Sequence, residues 1–136
     1  MISYDDFEGL VREEMDLLPE YVFQDLSGGV LIDPGVYLHP ARVKDDLYIL
    51  GTYSYGSYMG KQIILYYGSF MATMGSASIE QIREQVRAAL RHEFLHHMET
   101  RAGQFKKGTL IEEDRERMMR YFMRHREDME KTEQKN

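Results

Sequence analysis

The sequence predicts a single α+β domain, with helices at both ends of the chain and a short β-rich segment between them. Three observations lead to this prediction. Apolar residues recur at helical spacing near the start, tyrosine and isoleucine are concentrated among glycines at residues 47–70, and a long helical pattern follows residue 78. With 136 residues and 43% hydrophobic content, the chain has the size and composition of one ordinary domain.

The first helix is expected to begin at Ser3, because a serine followed three residues later by an acidic residue, here Asp6, is a common helix start. Its apolar residues fall on one helical face and are Phe7, Leu10, Val11 and Met15. Pro19 ends this helix and can open a second short one that runs to about Asp25, since proline fits the first helical turn. Ser27-Gly28-Gly29 then breaks the helical pattern.

Strands are predicted at residues 30–32, 47–55 and 62–67, where β-branched and aromatic residues are concentrated between turn residues. The last two are expected to form an antiparallel pair. The strand at 62–67 is nearly continuous in apolar and aromatic character, so both of its faces should be partly covered. Residues 75–77 are expected to form a loop.

A long helix is predicted from Ser78 to about Thr100, because Ser78 and Gln81 form a capping box. A break at residues 103–108 separates it from a last helix, which begins at about Glu112. The domain is expected to span residues 1–123, and the polar segment 124–136 is expected to fray. Arg83, Arg87 and Arg91 form a stripe on the long helix, interpreted as a solvated face that pairs with Glu80 and Glu84.

Bulk properties exclude several functions. The net charge of −6 argues against nucleic-acid binding, because the overall field would repel a phosphate backbone. We expect a cytoplasmic protein without a membrane partner, since the sequence shows neither a leader pattern nor a long apolar run. There are no cysteines, so any metal must be held by imidazole and carboxylate groups.

The residues that indicate chemistry are His92-Glu93-Phe94-Leu95-His96, which fall within the predicted long helix. Residues four apart lie one turn above each other on a helix, so the imidazoles of His92 and His96 can bind the same ion. Glu93 is rotated by about 100° from His92 and is placed to take a proton from water that the metal polarises. The pattern predicts a Zn²⁺ site with Glu93 as general base.

A catalytic zinc site usually has three protein ligands, so a third ligand is needed. Glu99 is favoured because it lies seven residues after His92 and points in nearly the same helix direction. Three later acids, Glu112, Glu113 and Asp114, remain alternatives if the break folds the last helix back. In that case Glu99 would orient an imidazole instead.

The remaining histidines are weaker candidates for binding metal, and His97 ranks last among the alternative third ligands. His97 lies near the apolar side of the long helix and is expected to be a buried, hydrogen-bonded core residue. His39 and His125 are expected to be structural or solvated.

Several segments resemble the bacterial minimal zincin-like metallopeptidase family, over nearly the whole chain to about Tyr121. They are Asp46-Leu47-Tyr48-Ile49-Leu50-Gly51, Tyr66-Tyr67-Gly68-Ser69-Phe70, and His92-Glu93-x-x-His96-His97-x-Glu99 with Ala102-Gly103. The resemblance implies a compact zincin-like fold, in which a small twisted sheet packs against the helix that bears the histidines. Better-known members continue the motif with a glycine and an aspartate ligand, where this chain has Glu99 and Ala102, so the third ligand of the family cannot be carried over.

The leading functional hypothesis is a zinc metallopeptidase, a hydrolase that cleaves a peptide or protein substrate. The strand at 62–67 is the candidate for pairing with an extended peptide, and Tyr66 or Tyr67 is a candidate oxyanion donor. No second domain is evident, so a partner or a second copy would complete the cleft. The alternatives are a zinc-binding interaction or regulatory module without peptidase activity, and hydrolysis of a non-peptide amide or ester.

Overall fold

The computed structural model describes residues 1–57, 60–103 and 110–125, and these form a mixed α+β fold. Its helices are α1 (Tyr4–Asp16), α2 (Tyr67–Met74), α3 (Ile79–Ala102) and α4 (Leu110–Arg124), with a short 3₁₀ helix at Glu20–Phe23. The strands are β1 (Gly29–Asp33), β2 (Gly51–Ser57) and β3 (Gly60–Tyr66). The predicted fold class is confirmed at this level.

The sheet has the strand order β1-β3-β2. β2 and β3 are antiparallel, as predicted, with Tyr53 opposite Ile63. β1 lies parallel to β3, and Leu31 is paired with Ile64. The prediction that the strand at 62–67 is an edge open to a peptide is wrong, because β3 lies in the centre of the sheet. Ile63 and Leu65 on one face of β3 are fully buried in the core, and the side chains on its other face are partly covered, as the apolar character of the strand predicted.

Helix α2 differs from the sequence prediction, which extends the strand to residue 67. The helix begins directly after β3, and its N-terminal turn packs closely on the turn that follows β1. A Cβ added to Gly68 would lie only 2.5 Å from the backbone carbon of Gly35. Ser69 secures the same junction, because its hydroxyl accepts a hydrogen bond of 2.8 Å from the Tyr37 amide. Tertiary contact therefore selects the helix over an extended strand.

Helices α1 and α3 meet over the sheet and enclose the core. Both of their predicted starts are confirmed, because the Ser3 hydroxyl accepts from the Asp6 amide and Ser78 forms its capping box with Gln81. α3 packs against α1 and β2. The core consists mainly of apolar side chains from α1, β3, α2 and α3, and it includes Phe7, Leu10, Val11, Ile63, Leu65, Phe70, Ile82, Val86, Leu90 and Phe94.

The arginine stripe on α3 crosses to another helix. Arg87 binds both carboxylate oxygens of Glu14 at 3.0 Å, and Arg83 contacts Glu14 and Glu13 on α1. The Glu14 side chain is only 2% exposed. The interpretation of this stripe as a solvated face paired within α3 is therefore wrong for Arg83 and Arg87, which hold α1 and α3 together.

The short second helix is confirmed in a shorter form, at Glu20–Phe23, and the predicted loop at residues 75–77 lies between α2 and α3. Gly103 ends α3 in the left-handed conformation, with φ of 68°, two to three residues beyond the predicted end. The last helix begins at Leu110. The prediction that residues 124–136 fray is wrong for Arg124, which ends α4, and for His125, which contacts Asp46. Residues 104–109 and 126–136 lie outside the described residues. Across the described ranges, no helix is both long and apolar enough to cross a membrane.

Candidate metal centre

The candidate centre is built on the C-terminal half of α3. His92 and His96 lie one helical turn apart and expose their side chains by 23% and 19%. Their ring centroids are 4.9 Å apart at an angle of 80°, so the two imidazoles face the same region of space. This convergence follows from the spacing of four residues on a regular helix, as the sequence predicted.

The third candidate ligand, Asp114, lies on α4. The Asp114 carboxylate places Oδ2 2.7 Å from Nε2 of His96 and Oδ1 3.1 Å from Nε2 of His92. One ligand atom from each of the three residues lies within 4.8 Å of the other two. Ligands about 2.0–2.2 Å from a tetrahedral zinc ion would be about 3.3–3.6 Å apart, so the three side chains fit such an ion with small adjustments.

Hydrogen bonds between Asp114 and the histidines shift the pKa values within the cluster. Burial alone would raise the pKa of the Asp114 carboxyl, but hydrogen bonds from His92 and His96 outweigh burial and hold this pKa well below its usual range. The hydrogen bond to Asp114 is also the main reason why the pKa of His96 is raised, against an opposing effect of burial. Asp114 is therefore held as a carboxylate, the form that binds metal ions, whereas the imidazole of His96 binds a metal only in its neutral form.

Glu93 lies next to this cluster but is buried, with only 6% of its surface exposed. Burial raises the pKa of its carboxyl, and the nearby histidines partly offset this effect. The first residue of β2 packs against it, since a Cβ added to Gly51 would lie 3.4 Å from Cγ of Glu93. Glu93 is thus held beside the candidate ligands and is not one of them, in agreement with the sequence prediction.

Glu99, the favoured third ligand, is not part of the three-residue group. Its charge acts on His96 at a distance, as the smallest of the effects that raise the pKa of that histidine. The structure instead brings in Asp114, one of the three alternatives, while the side chains of Glu112 and Glu113 lie outside the described residues. One signal in the sequence favours Asp114: it shares a helix face with Met118 and Tyr121, at spacings of four and seven residues.

A cavity of about 480 Å³ opens beside the cluster. One wall is α4, and the other is the chain segment that leads into β2. His92, Glu93 and Asp114 line it together with Gly51 and Thr52, the first two residues of β2. His39, to which the sequence assigned no role in the site, also lines this cavity. Two of the candidate ligands, His92 and Asp114, therefore share one solvent-accessible space with the candidate base Glu93.

The other predicted residues have structural partners. His97 is fully buried: Nε2 donates to the carbonyl of Gln24 at 2.7 Å, and Nδ1 contacts the Tyr53 hydroxyl at 2.7 Å. Its predicted role as a core histidine is confirmed. The Tyr67 hydroxyl donates to the Ile2 carbonyl at 2.6 Å, away from the cavity, and Tyr66 contacts Thr52 at 3.3 Å. Neither tyrosine lines the cavity.

Comparisons with solved structures give a similarity in fold. No family model matches the chain, and no curated protein matches it significantly. A solved structure, described as a conserved hypothetical protein from Thermo thermophilus, is similar in fold with a TM-score of 0.63 and 29% sequence identity. The match covers 74% of this chain and 98% of the other. It supports the mixed α+β architecture.

Proposed function

We propose that this chain is a zinc-dependent hydrolase, and within that class a metallopeptidase. The observation that carries the proposal is the convergence of His92, His96 and Asp114 beside the buried carboxyl of Glu93. Catalytic zinc sites commonly combine three nitrogen or oxygen ligands with an open position. The residues in this cluster provide such a donor set.

Zinc suits this site better than a harder ion. Two imidazole nitrogens and one carboxylate oxygen favour zinc over calcium or magnesium, which prefer oxygen ligands alone. A zinc ion bound here would supply a Lewis acid that polarises a carbonyl group and makes water more acidic. The three side chains lie on two helices, so binding would also link α3 to α4.

Glu93 would carry the proton in hydrolysis. Its carboxylate accepts a proton from the attacking water and delivers it to the departing amine nitrogen. The raised pKa of Glu93 strengthens it as a base, because burial destabilises its charged form. The packing of Gly51 against Glu93 would hold the carboxylate in place during this transfer.

An extended peptide is the substrate that the sheet favours. β2 is an edge strand of the sheet within the described residues, and its first two residues line the cavity. A peptide could add to that edge through backbone hydrogen bonds and place a carbonyl near the cluster. This assigns to β2 the role that the sequence had suggested for β3. A partner or a second copy would supply the opposite wall of the cleft.

The zincin-like classification belongs to the same proposal. The packing of α3 against β2, with the paired histidines on the helix, agrees with the arrangement that the family resemblance implies. The alternatives are a zinc-binding interaction or regulatory module, and a hydrolase of other amides or esters. The buried Glu93 favours hydrolysis, since a purely structural site does not need a base.

The test is cleavage of a peptide library and of unstructured proteins, followed by mass spectrometry, with the zinc-loaded protein. The matched control is Glu93→Gln, which keeps the size of the side chain but cannot accept the proton. We expect cleavage by the wild type and a loss of about a hundred- to ten-thousandfold in the variant. Zinc-dependent cleavage that is equal in both proteins would refute Glu93 as the base. Tight zinc binding with no cleavage by the wild type would favour the interaction module.

A further inference from the structure

The hydroxyl of Tyr121 joins the two walls of the cavity. Tyr121 lies on α4 and is only 3% exposed. Its hydroxyl accepts a hydrogen bond of 2.8 Å from the Val43 amide and donates one of 2.9 Å to Oδ1 of Asp46. We call these three residues the latch. The hydroxyl both accepts and donates within the latch, so its one proton is used by Asp46.

Asp46 also contacts a second side chain near the end of α4. The second oxygen of Asp46 lies 2.8 Å from Nε2 of His125, near the end of α4, and the His125 ring packs on Tyr121 with centroids 4.6 Å apart. Asp46 is thus held by two groups from one end of the chain. His125, expected to be structural or solvated, has this structural role.

The segment that contains Val43 and Asp46 is closed by backbone hydrogen bonds. The His39 amide donates to the Leu47 carbonyl at 2.9 Å, and the Ile49 amide donates to the Tyr37 carbonyl at 2.8 Å. These bonds close the segment at residues 39–47, which we call the cavity loop. The cavity loop connects to β2 through residues 48–50, so the latch ties α4 to the sheet side of the cavity.

The latch and the candidate ligand lie on one face of α4. Tyr121 follows Asp114 by seven residues, nearly two helical turns, so both side chains point in similar directions. A rotation or shift of α4 that broke the latch would also move the Asp114 carboxylate from its 2.7 Å contact with His96. The buried Tyr121 and its hydrogen bonds to Val43 and Asp46 give α4 a second attachment, separate from the contacts of Asp114 with the histidines.

We propose that Tyr121 and Asp46 are positioning residues for the metal centre, and that the latch holds α4 so that Asp114 completes the ligand set with His92 and His96. This inference rests on the proposed zinc site. It assigns a function to a hydrogen-bonded cluster that lies outside the ligands themselves. Residues that orient metal ligands commonly change metal affinity by about 10- to 100-fold when removed.

The test measures Zn²⁺ affinity by competition with a chromophoric chelator, in the full-length chain. Tyr121→Phe keeps the buried ring and removes the hydroxyl, and we expect it to weaken Zn²⁺ binding by about tenfold. The matched control is Tyr4→Phe, which removes another part-buried tyrosine hydroxyl, bonded to the Ile32 carbonyl at 3.1 Å. The control should bind Zn²⁺ as the wild type does.

A double-mutant cycle separates positioning from general destabilisation. If the latch acts through Asp114, then Tyr121→Phe should have no further effect on Zn²⁺ affinity when it is introduced into Asp114→Ala. An equal loss in both backgrounds would overturn the positioning role. Unchanged affinity in Tyr121→Phe, with a wild type that binds Zn²⁺, would overturn the latch alone. A wild type that does not bind Zn²⁺ would overturn the metal site and the latch together.

Asp46 gives a second variant in case Tyr121→Phe folds poorly, because its side chain is 43% exposed on the cavity loop. Asp46→Ala should weaken Zn²⁺ binding, whereas Asp46→Asn should restore part of it, since the amide oxygen can still accept from the Tyr121 hydroxyl. Equal affinity in Asp46→Ala and the wild type would contradict the proposal.

Discussion

The Asp114 carboxylate lies 2.7 Å from Nε2 of His96, although 18 residues separate them in the chain. This contact joins α4 to α3 and completes a group of three possible ligands with His92. The candidate metal centre therefore depends on the packing of α4 against α3, although both histidines belong to α3. Metal binding should therefore depend on side chains from both helices.

The first prediction is metal stoichiometry. The purified chain, after reconstitution and removal of free metal, should hold about one zinc ion, because the cluster offers one set of three ligands. Elemental analysis measures this directly. The double variant His92→Ala/His96→Ala should retain no specific zinc while keeping its helical circular dichroism. Less than about a tenth of an equivalent in the wild type would count against a zinc site.

The second prediction concerns the third ligand. Asp114→Ala should weaken Zn²⁺ binding by about tenfold or more, since it removes a direct ligand. Glu99→Ala is the matched control on α3, where the carboxylate affects His96 only through its charge, and its effect should be clearly smaller. Chelator competition on both variants decides between them. A larger loss in Glu99→Ala would restore the assignment that the sequence favoured.

The third prediction concerns the pH dependence of stability at Glu14. Hydrogen bonds from Arg87, and then from Arg83, lower the pKa of the Glu14 carboxyl below its ordinary value of 4.5, against an opposing effect of burial. A lowered folded pKa means that this carboxylate stabilises the protein above its unfolded pKa. That contribution is lost as pH falls through the folded pKa.

Glu14→Gln should therefore reduce the free energy of unfolding by about 1 to 2 kcal/mol near neutral pH. The difference from the wild type should shrink as pH falls below about 4.5. Urea denaturation at several pH values measures both quantities. Glu8→Gln is a suitable control, because Glu8 pairs with an exposed arginine on the same helix. A pH-independent difference would contradict the role of the Glu14 charge.

The fourth prediction compares two glycines. Gly68→Ala should destabilise the fold by about 1 to 3 kcal/mol, because the new Cβ would meet the backbone of Gly35 and Val36. Gly9→Ala, in α1, should stabilise it by about 0.5 to 1 kcal/mol, since a Cβ there has no atom within 4 Å and alanine favours helices. Thermal or urea unfolding measures both effects. Similar stability in the two variants would show that the close approach at Gly68 is unimportant.

The sequence by itself determined the local features of this protein. Helix geometry places residues four apart on the same face, so the pairing of His92 with His96 followed from their spacing, and so did the separate position of Glu93. The capping box at Ser78 and the left-handed Gly103 are also local, because each depends on a few neighbouring residues. The antiparallel pair β2 and β3 could be predicted for the same reason.

Only the tertiary structure decided which distant residues meet. The packing of α4 against α3 brings Asp114 to the histidines, and no local spacing specifies that packing. The central place of β3, the pairing of Glu14 with Arg87, and the latch at Tyr121 likewise depend on which surfaces pack together. Such contacts arise because whole helices and strands bury their apolar faces collectively, so the neighbours of one side chain are set by the packing of every element around it.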